Sequence, residues 1–198
     1  MSNSIELESP LHHAQLDHLI GQTNSGGIVF HEAKLLGHLN LRGNAQDAEF
    51  LAGVQAALEV ALPITPCSSA QSDIAKILWL APDEWLIIVA AGGEYEIEQQ
   101  LRAHLKGHFA VSDISGAQTI LELSGSHVIE LMKKSTGYDL HLESFPVGKV
   151  IGTTFSQAGA HILRVSEDKF QLIIRRSFSD YIWLWIQEAS KEYGLVIA

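Results

Sequence analysis

The stretch Ile77-Leu78-Trp79-Leu80-Ala81-Pro82-Asp83-Glu84-Trp85-Leu86-Ile87-Ile88 decides the fold. Two apolar runs flank a Pro-Asp turn, where proline pre-sets φ and aspartate bonds the local backbone, so the segment reads as a β-hairpin. The pattern returns 85 residues later. Ile162-Leu163-Arg164-Val165, Asp168, Phe170 and Leu172-Ile173 stand at the same spacing without a gap. Helical spacing follows both hairpins, with Ile97, Leu101 and Leu105 after the first and Ile182, Ile186 and Ala189 after the second. Self-similarity at one offset marks a duplicated unit.

Outward from the first hairpin, strands are predicted over 28–30, 35–41 and 109–114. A helix is predicted on Phe50, Leu51, Val54, Leu58 and Leu62, with Asn44 as its N-cap and Pro63 and Pro66 as its stop. Residues 35–114 thus read β-α-β-β-α-β. Outward from the second hairpin, strands are predicted over 119–123, 150–155 and 195–197. A helix capped by Ser126 carries Val128, Leu131 and Met132, and a last helix is capped by Ser179. Each unit is ferredoxin-like. The expected fold class is α+β, with halves of about 35–115 and 118–198 forming one body over 28–198. The polar, His-rich residues 1–27 read as a loose N-terminal arm.

Composition sets the outer limits. The chain has 198 residues, a formal net charge of −10, 46% apolar and 18% charged residues, and one cysteine. That length supports a sizeable core without disulfides, and the single Cys67 fits a reducing compartment. The excess of acid disfavours nucleic-acid binding, which rests on neutralising phosphates. No apolar run is long enough to span a bilayer, and Met-Ser-Asn-Ser-Ile-Glu lacks the basic start of a secretory signal. The expectation is a soluble cytoplasmic protein. So few charges also suggest that some apolar surface is covered by another protein.

Catalytic patterns do not emerge from the sequence. The glycines lack the spacing that brings a backbone against a pyrophosphate, and no phosphate-cradling loop ends in Lys-Ser or Lys-Thr. His31-Glu32 meets Leu35 where a zinc peptidase would need a second histidine. His12, His13 and His18 lie in the arm with no rigid element to fix a metal. His104 and His108, four residues apart, are expected on one helix face. Cys67 follows Pro66 with no histidine beside it. Asp83 and Glu84 could do acid–base work, but Pro-Asp at a turn is first of all turn chemistry, and Asp168 in the matching turn favours that reading. No catalytic, cofactor-binding or metal-ligating residue is assigned.

Two features remain for binding. Arg175 and Arg176, with Arg164 on the neighbouring strand, form a basic cluster in an acidic chain. They could grip a carboxylate bidentately or simply protect a sheet edge. Phe178, Ile182, Trp185, Ile186, Ala189 and Tyr193 make the core stripe of the last helix, while Trp183 and Leu184 fall on a second face. That face is either buried all round or a docking surface. The candidate partner interface is therefore Trp183, Leu184, Arg164, Arg175 and Arg176.

Several motifs together resemble the gamma-subunit family of heterotetrameric sarcosine oxidase. They are Asn40-Leu41-Arg42-Gly43, Leu62-Pro63 with Pro66, and Leu78 through Leu86. Further along come Asp113-Ile114-Ser115, Leu121-Glu122-Leu123-Ser124-Gly125, Asp139-Leu140, Phe145-Pro146-Val147-Gly148 and Arg175 through Tyr181 with Trp183 and Trp185. They run in order from about residue 28 to 188. Ala81 stands where glycine is usual, and Lys134-Ser135-Thr136 replaces Lys-Gly-Cys. The resemblance implies a fold related to the folate-binding module of the glycine cleavage T-protein. It implies a non-catalytic subunit of an enzyme that oxidatively demethylates sarcosine to glycine, giving hydrogen peroxide and formaldehyde or 5,10-methylenetetrahydrofolate. Alpha, beta and delta subunits would be its partners, alpha the main contact, and FAD, FMN, NAD and zinc would sit in those other subunits. The alternatives are a free-standing folate-binding or one-carbon transfer protein, and the same subunit in a complex acting on another N-methyl amine.

Overall fold

A computed structural model of the chain describes residues 7–23 and 25–198. In chain order the elements are α1 (Leu16–Leu19), β1 (Ile28–Ala33), β2 (Gly37–Arg42), α2 (Ala48–Leu58), β3 (Ser69–Gln71), β4 (Lys76–Ala81), β5 (Glu84–Val89), α3 (Glu94–His104) and β6 (Ala110–Asp113). They continue with β7 (Gln118–Ser124), α4 (Val128–Ser135), β8 (Val150–Phe155), β9 (Ala158–Ser166), β10 (Lys169–Arg175), α5 (Ser179–Ala189) and β11 (Leu195–Ile197). One sheet runs β3-β4-β5-β2-β6 and the other β11-β1-β7-β10-β9-β8.

The duplication is visible in backbone register. Trp79 faces Trp85, then Leu80 bulges before Ala81 faces Glu84. Arg164 faces Phe170, then Val165 bulges before Ser166 faces Lys169. Every partner is displaced by the same interval, bulge included. Each hairpin also carries a third strand, since β3 lies on β4 as β8 lies on β9. Ser69-Ala70-Gln71 is too short and too polar to announce itself as a strand.

Alternation along the strands makes three apolar layers. Trp85, Ile87 and Val89 of β5 bury against α2 and α3 with Phe50, Val54 and Leu101. Phe170, Leu172 and Ile174 of β10 bury against α4 and α5 with Leu131, Ile182 and Ile186. The opposite faces of both sheets meet through a thinner layer that includes Leu78, Leu86, Ile88, Ile120, Leu163 and Ile173. Polar groups bridge part of it: Lys76 Nζ donates to Gln171 Oε1 at 2.8 Å, and Gln171 Nε2 donates to Glu122 Oε1 at 2.6 Å. At one edge the sheets are stitched by the Val150 N–H donating to the Cys67 carbonyl at 2.8 Å.

The first strand departs from the expected division into halves. β1 lies between β7, to which it is antiparallel, and β11, to which it is parallel. It thereby takes the sheet position that β11 would hold in an isolated second unit. Missing side chains make the fit possible. A Cβ at Gly26 would stand 2.7 Å from the Gly194 carbonyl oxygen, and one at Gly125 2.4 Å from the Gly27 carbonyl oxygen.

The arm is not loose in its described part; residues 1–6 and 24 lie outside the described residues. Leu11 and Leu16 are buried in the core beneath β1. The Glu32 carboxylate, itself buried, fastens the segment by accepting from Ser9 Oγ at 2.7 Å and the Leu11 N–H at 3.3 Å, with Thr119 Oγ1 as third donor. Two buried leucines, with Ala14 and Leu19 packed half-buried beside them, carry this docking, and the polar sequence around them reads as solvated.

Asp47, not Asn44, caps α2. Its Oδ1 accepts from the Glu49 and Phe50 N–H groups at 2.9 and 3.4 Å, whereas Asn44 Oδ1 serves the turn before it through Gln46 N–H. Asp47→Ala is expected to cost about 1 kcal/mol in urea denaturation and Asn44→Ala clearly less; equal losses would restore Asn44 as the cap.

Candidate functional site

The five candidate residues do not share one surface. Arg164 points to the helix side of its sheet, the side shared by Ile162, and is 3% exposed. Its guanidinium donates to the carbonyls of Leu140 at 2.8 Å, Phe145 at 3.0 Å, Ser166 at 3.2 Å and Glu167 at 2.6 Å, and lies over the Phe170 ring. It is a structural clamp on the loop before β8, with no donor directed at an outside anion. Trp183 is 5% exposed, with its ring 4.7 Å from that of Phe30. It too is core. The apolar stripe of α5 is turned from the expected one: Ile182, Trp183, Ile186 and Ala189 are buried, while Phe178 is exposed and Trp185 half-buried.

Leu184, Arg175 and Arg176 remain at the surface. Leu184 forms an exposed row with Phe178 and Tyr181, at one-turn spacing. Arg175 and Arg176, though adjacent, border different hollows. Arg176 edges a small cavity of about 40 Å³ beside His38 and the arm, and Arg175 opens onto a cleft of about 600 Å³ between the sheets. A larger groove of about 1010 Å³ lies at the far side, between the start of α2, Trp79, Ile64 and Phe109.

The inter-sheet cleft gathers polar groups at one end of the strands. Gln118 and Arg175 are cross-strand partners, and His161 faces Ile173. From the opposite sheet, Asn40 Nδ2 donates to Glu84 Oε1 at 2.8 Å, and Glu84 Oε2 meets Arg42 at 3.3 Å. Burial lowers the pKa of the His161 imidazole, the Glu84 charge opposing this and Arg175 adding to it. Gln118 Oε1 is buried without a hydrogen-bond partner among the described residues.

The other sequence candidates have local partners. His13 Nε2 meets Asp180 Oδ1 at 2.8 Å, and the described residues hold no group of three or more potential metal ligands. His104 and His108 do not share a helix face, because α3 ends at His104 and Leu105 is extended. Asp83 and Glu84 are both engaged by Arg42. Cys67 is half-buried in a left-handed turn at φ 62°. No helix of the described residues is long and apolar enough to cross a membrane.

The sequence model of the sarcosine oxidase gamma subunit family matches residues 42–192. The chain belongs to that family. Among curated gamma-family relatives, sarcosine oxidase subunit gamma of an Arthrobacter species is 29% identical over 98% of this chain and 97% of its own length. The subunit of Corynebacterium strain P-1 is 34% identical over 60% of this chain and 58% of its own. Among solved structures, a chain of heterotetrameric sarcosine oxidase from Corynebacterium U-96 superposes with TM-score 0.83 at 24% identity, covering 94% of this chain and 95% of that one. The glycine cleavage aminomethyltransferase T of Bartonella henselae follows at TM-score 0.63 and 12% identity, over 92% of this chain and 50% of that protein. These superpositions concern the fold, a two-sheet α+β body like that chain of the oxidase and like half of the T-protein.

Proposed function

We propose that this chain is the non-catalytic gamma subunit of a heterotetrameric sarcosine oxidase. The observation that carries this reading is the family match, with a named gamma subunit aligned over nearly the full length of both chains. In this role the chain supports assembly of a flavoenzyme that demethylates sarcosine oxidatively to glycine. The alpha subunit is its main contact, beta and delta complete the complex, and the redox cofactors belong to those partners. The docking face is the exposed row of Phe178, in the turn before α5, with Tyr181 and Leu184 on α5, and Arg176 at its edge. Three large apolar side chains exposed within seven residues, beside a core stripe that already seats the helix, favour contact with another protein.

Purification of the tagged chain from its native cells tests the assignment. A yellow eluate with flavin absorbance and sarcosine-dependent peroxide formation is expected; recovery without any flavoprotein refutes it. Leu184→Asp, at a site 57% exposed, should leave thermal unfolding unchanged while lowering recovery of the flavoprotein about tenfold or more. Undiminished recovery with the variant would move the docking face elsewhere on the chain.

A further inference from the structure

The two sheets end on β3, β6, β8 and β11, and an edge strand offers its unpaired backbone groups to any other chain. Three of these edges are blunted. β3 and β11 have three residues each. β6 has four, with Asp113 among them and the Arg102 guanidinium donating to its Val111 carbonyl at 3.0 Å. β8 is different. Val150-Ile151-Gly152-Thr153-Thr154-Phe155 holds six residues with no charge and no proline, and no bulge interrupts its register against β9. Two hydrogen bonds fix which way its backbone faces. The Arg164 N–H of β9 donates to the Lys149 carbonyl at 3.1 Å, so the odd-numbered residues of β8 face β9. The Val150 N–H turns the other way, to the Cys67 carbonyl at 2.8 Å. Alternation then points the N–H and C=O of Gly152 and Thr154 away from β9, in the plane of the sheet. Both residues are exposed, and neither has a hydrogen-bonding partner on that side among the described residues. The chain's own Ser68 bridges to Lys149 at the start of the edge and leaves the rest of it open.

We infer that an extended segment of a partner subunit completes this sheet, lying antiparallel along Gly152 and Thr154. The inference rests on the reading of the chain as an oxidase subunit and adds a second contact to that assembly. A free row of backbone donors and acceptors is matched by another backbone, and each residue set opposite Gly152 or Thr154 exchanges both of its hydrogen bonds. Gly152 also selects a side chain. A Cβ there would meet only the His161 ring, at 3.5 Å, so the space above it is open to the incoming strand. An aromatic residue opposite Gly152 fills that space, as aromatic rings do beside glycines at sheet edges. The other positions are β-branched and uncharged, since β8 offers no charge to match one. The edge is continuous with the helix row already assigned to docking: Ser156, just after β8, shares a hydrogen bond of 2.6 Å with the Tyr181 hydroxyl. One partner surface therefore meets the strand edge and the helix row together.

Hydrogen exchange, resolved to single amides by mass spectrometry, is compared between the full-length chain alone and the flavoprotein complex that co-purifies with it. The Gly152 and Thr154 amides should exchange freely in the chain alone and about tenfold or more slowly in the complex, with Ile151 and Thr153 slow in both. Thr154→Pro removes an outward N–H and no bond to β9. It should therefore unfold like the parent chain while lowering flavoprotein recovery about tenfold or more. Where the proline ring disturbs the strand, Thr154→Lys keeps the backbone intact and should lower recovery by setting a charge on the edge. Unchanged exchange at both amides in the complex overturns the strand and leaves the subunit assignment standing, as does undiminished recovery with a variant that unfolds like the parent. Protection that arises in the chain alone and grows with its concentration overturns it too, giving the edge to a second copy. Recovery of the parent chain without any flavoprotein refutes the subunit assignment itself, and the partner strand with it.

Discussion

Trp183→Ala is expected to cost about 3–5 kcal/mol of folding free energy, the range for removing a large aromatic side chain from a packed interior. The indole fills the space between α5 and β1, with Phe30 against one face. Neither element can close the gap alone. α5 is held by Ile182 and Ile186 on the same core, and β1 is fixed by ladders on both sides. The residual cavity therefore stays open, which places the loss toward the upper end of the range. Trp183→Glu should prevent folding altogether, because the carboxylate would be buried among apolar groups. Equilibrium denaturation in urea reads both variants. A loss below about 1 kcal/mol for Trp183→Ala would return Trp183 to the surface, since exposed positions seldom cost more.

Arg164→Met should be nearly as damaging, and through a different cause. The guanidinium satisfies four backbone carbonyls that converge on it from the loop before β8 and from the β9–β10 turn. Methionine keeps much of the volume but donates nothing. Two of the four bonds are fully buried, and leaving two buried acceptors unmatched costs about 1–3 kcal/mol each. A loss of about 3 kcal/mol or more is expected in urea. Faster amide exchange should be confined to about residues 140–149, where Gly148 N–H otherwise bonds the Arg164 carbonyl. Arg164→Lys should rescue little, because one ammonium cannot reach carbonyls arranged around a planar fork. Uniform exchange across the chain, or full rescue by lysine, would show that charge and not the clamp is what matters.

Much of the fold was legible from the two hairpins. Their apolar alternation, turn chemistry and common offset carried the duplication, and the structure repeats even the bulge. The same alternation also bears on Arg164. Arg164 aligns with Trp79 and shares a face with Ile162, so the alternation itself places it toward the helices, against its charge. Around α5, helical spacing cannot separate two neighbouring stripes when large apolar residues occupy 178 and every position from 181 to 186. The choice between them was made by Phe30, a partner far away in sequence. Asn44 and Asp47 both suit a cap by residue type, and only the folded backbone, with the hydrogen bonds it permits to Asp47, chooses between them. The inter-sheet cleft was invisible for a different reason: its members come from strands of both halves, and no local spacing links Asn40 or Glu84 to His161 and Arg175.

The position of β1 also sets an order of events on the ribosome. The sheet around β5 draws its strands from residues 37 to 113 and can close while synthesis of the remainder continues. β1, emerging before all of them, has no partner there. It must stay extended until residues 118–124 arrive, and its second neighbour comes only with residues 195–197. Closing so long a loop is slow, and an apolar strand left waiting is exposed to wrong pairing. The nascent chain is therefore most vulnerable at its amino-terminal strand, just when its first half is already folded.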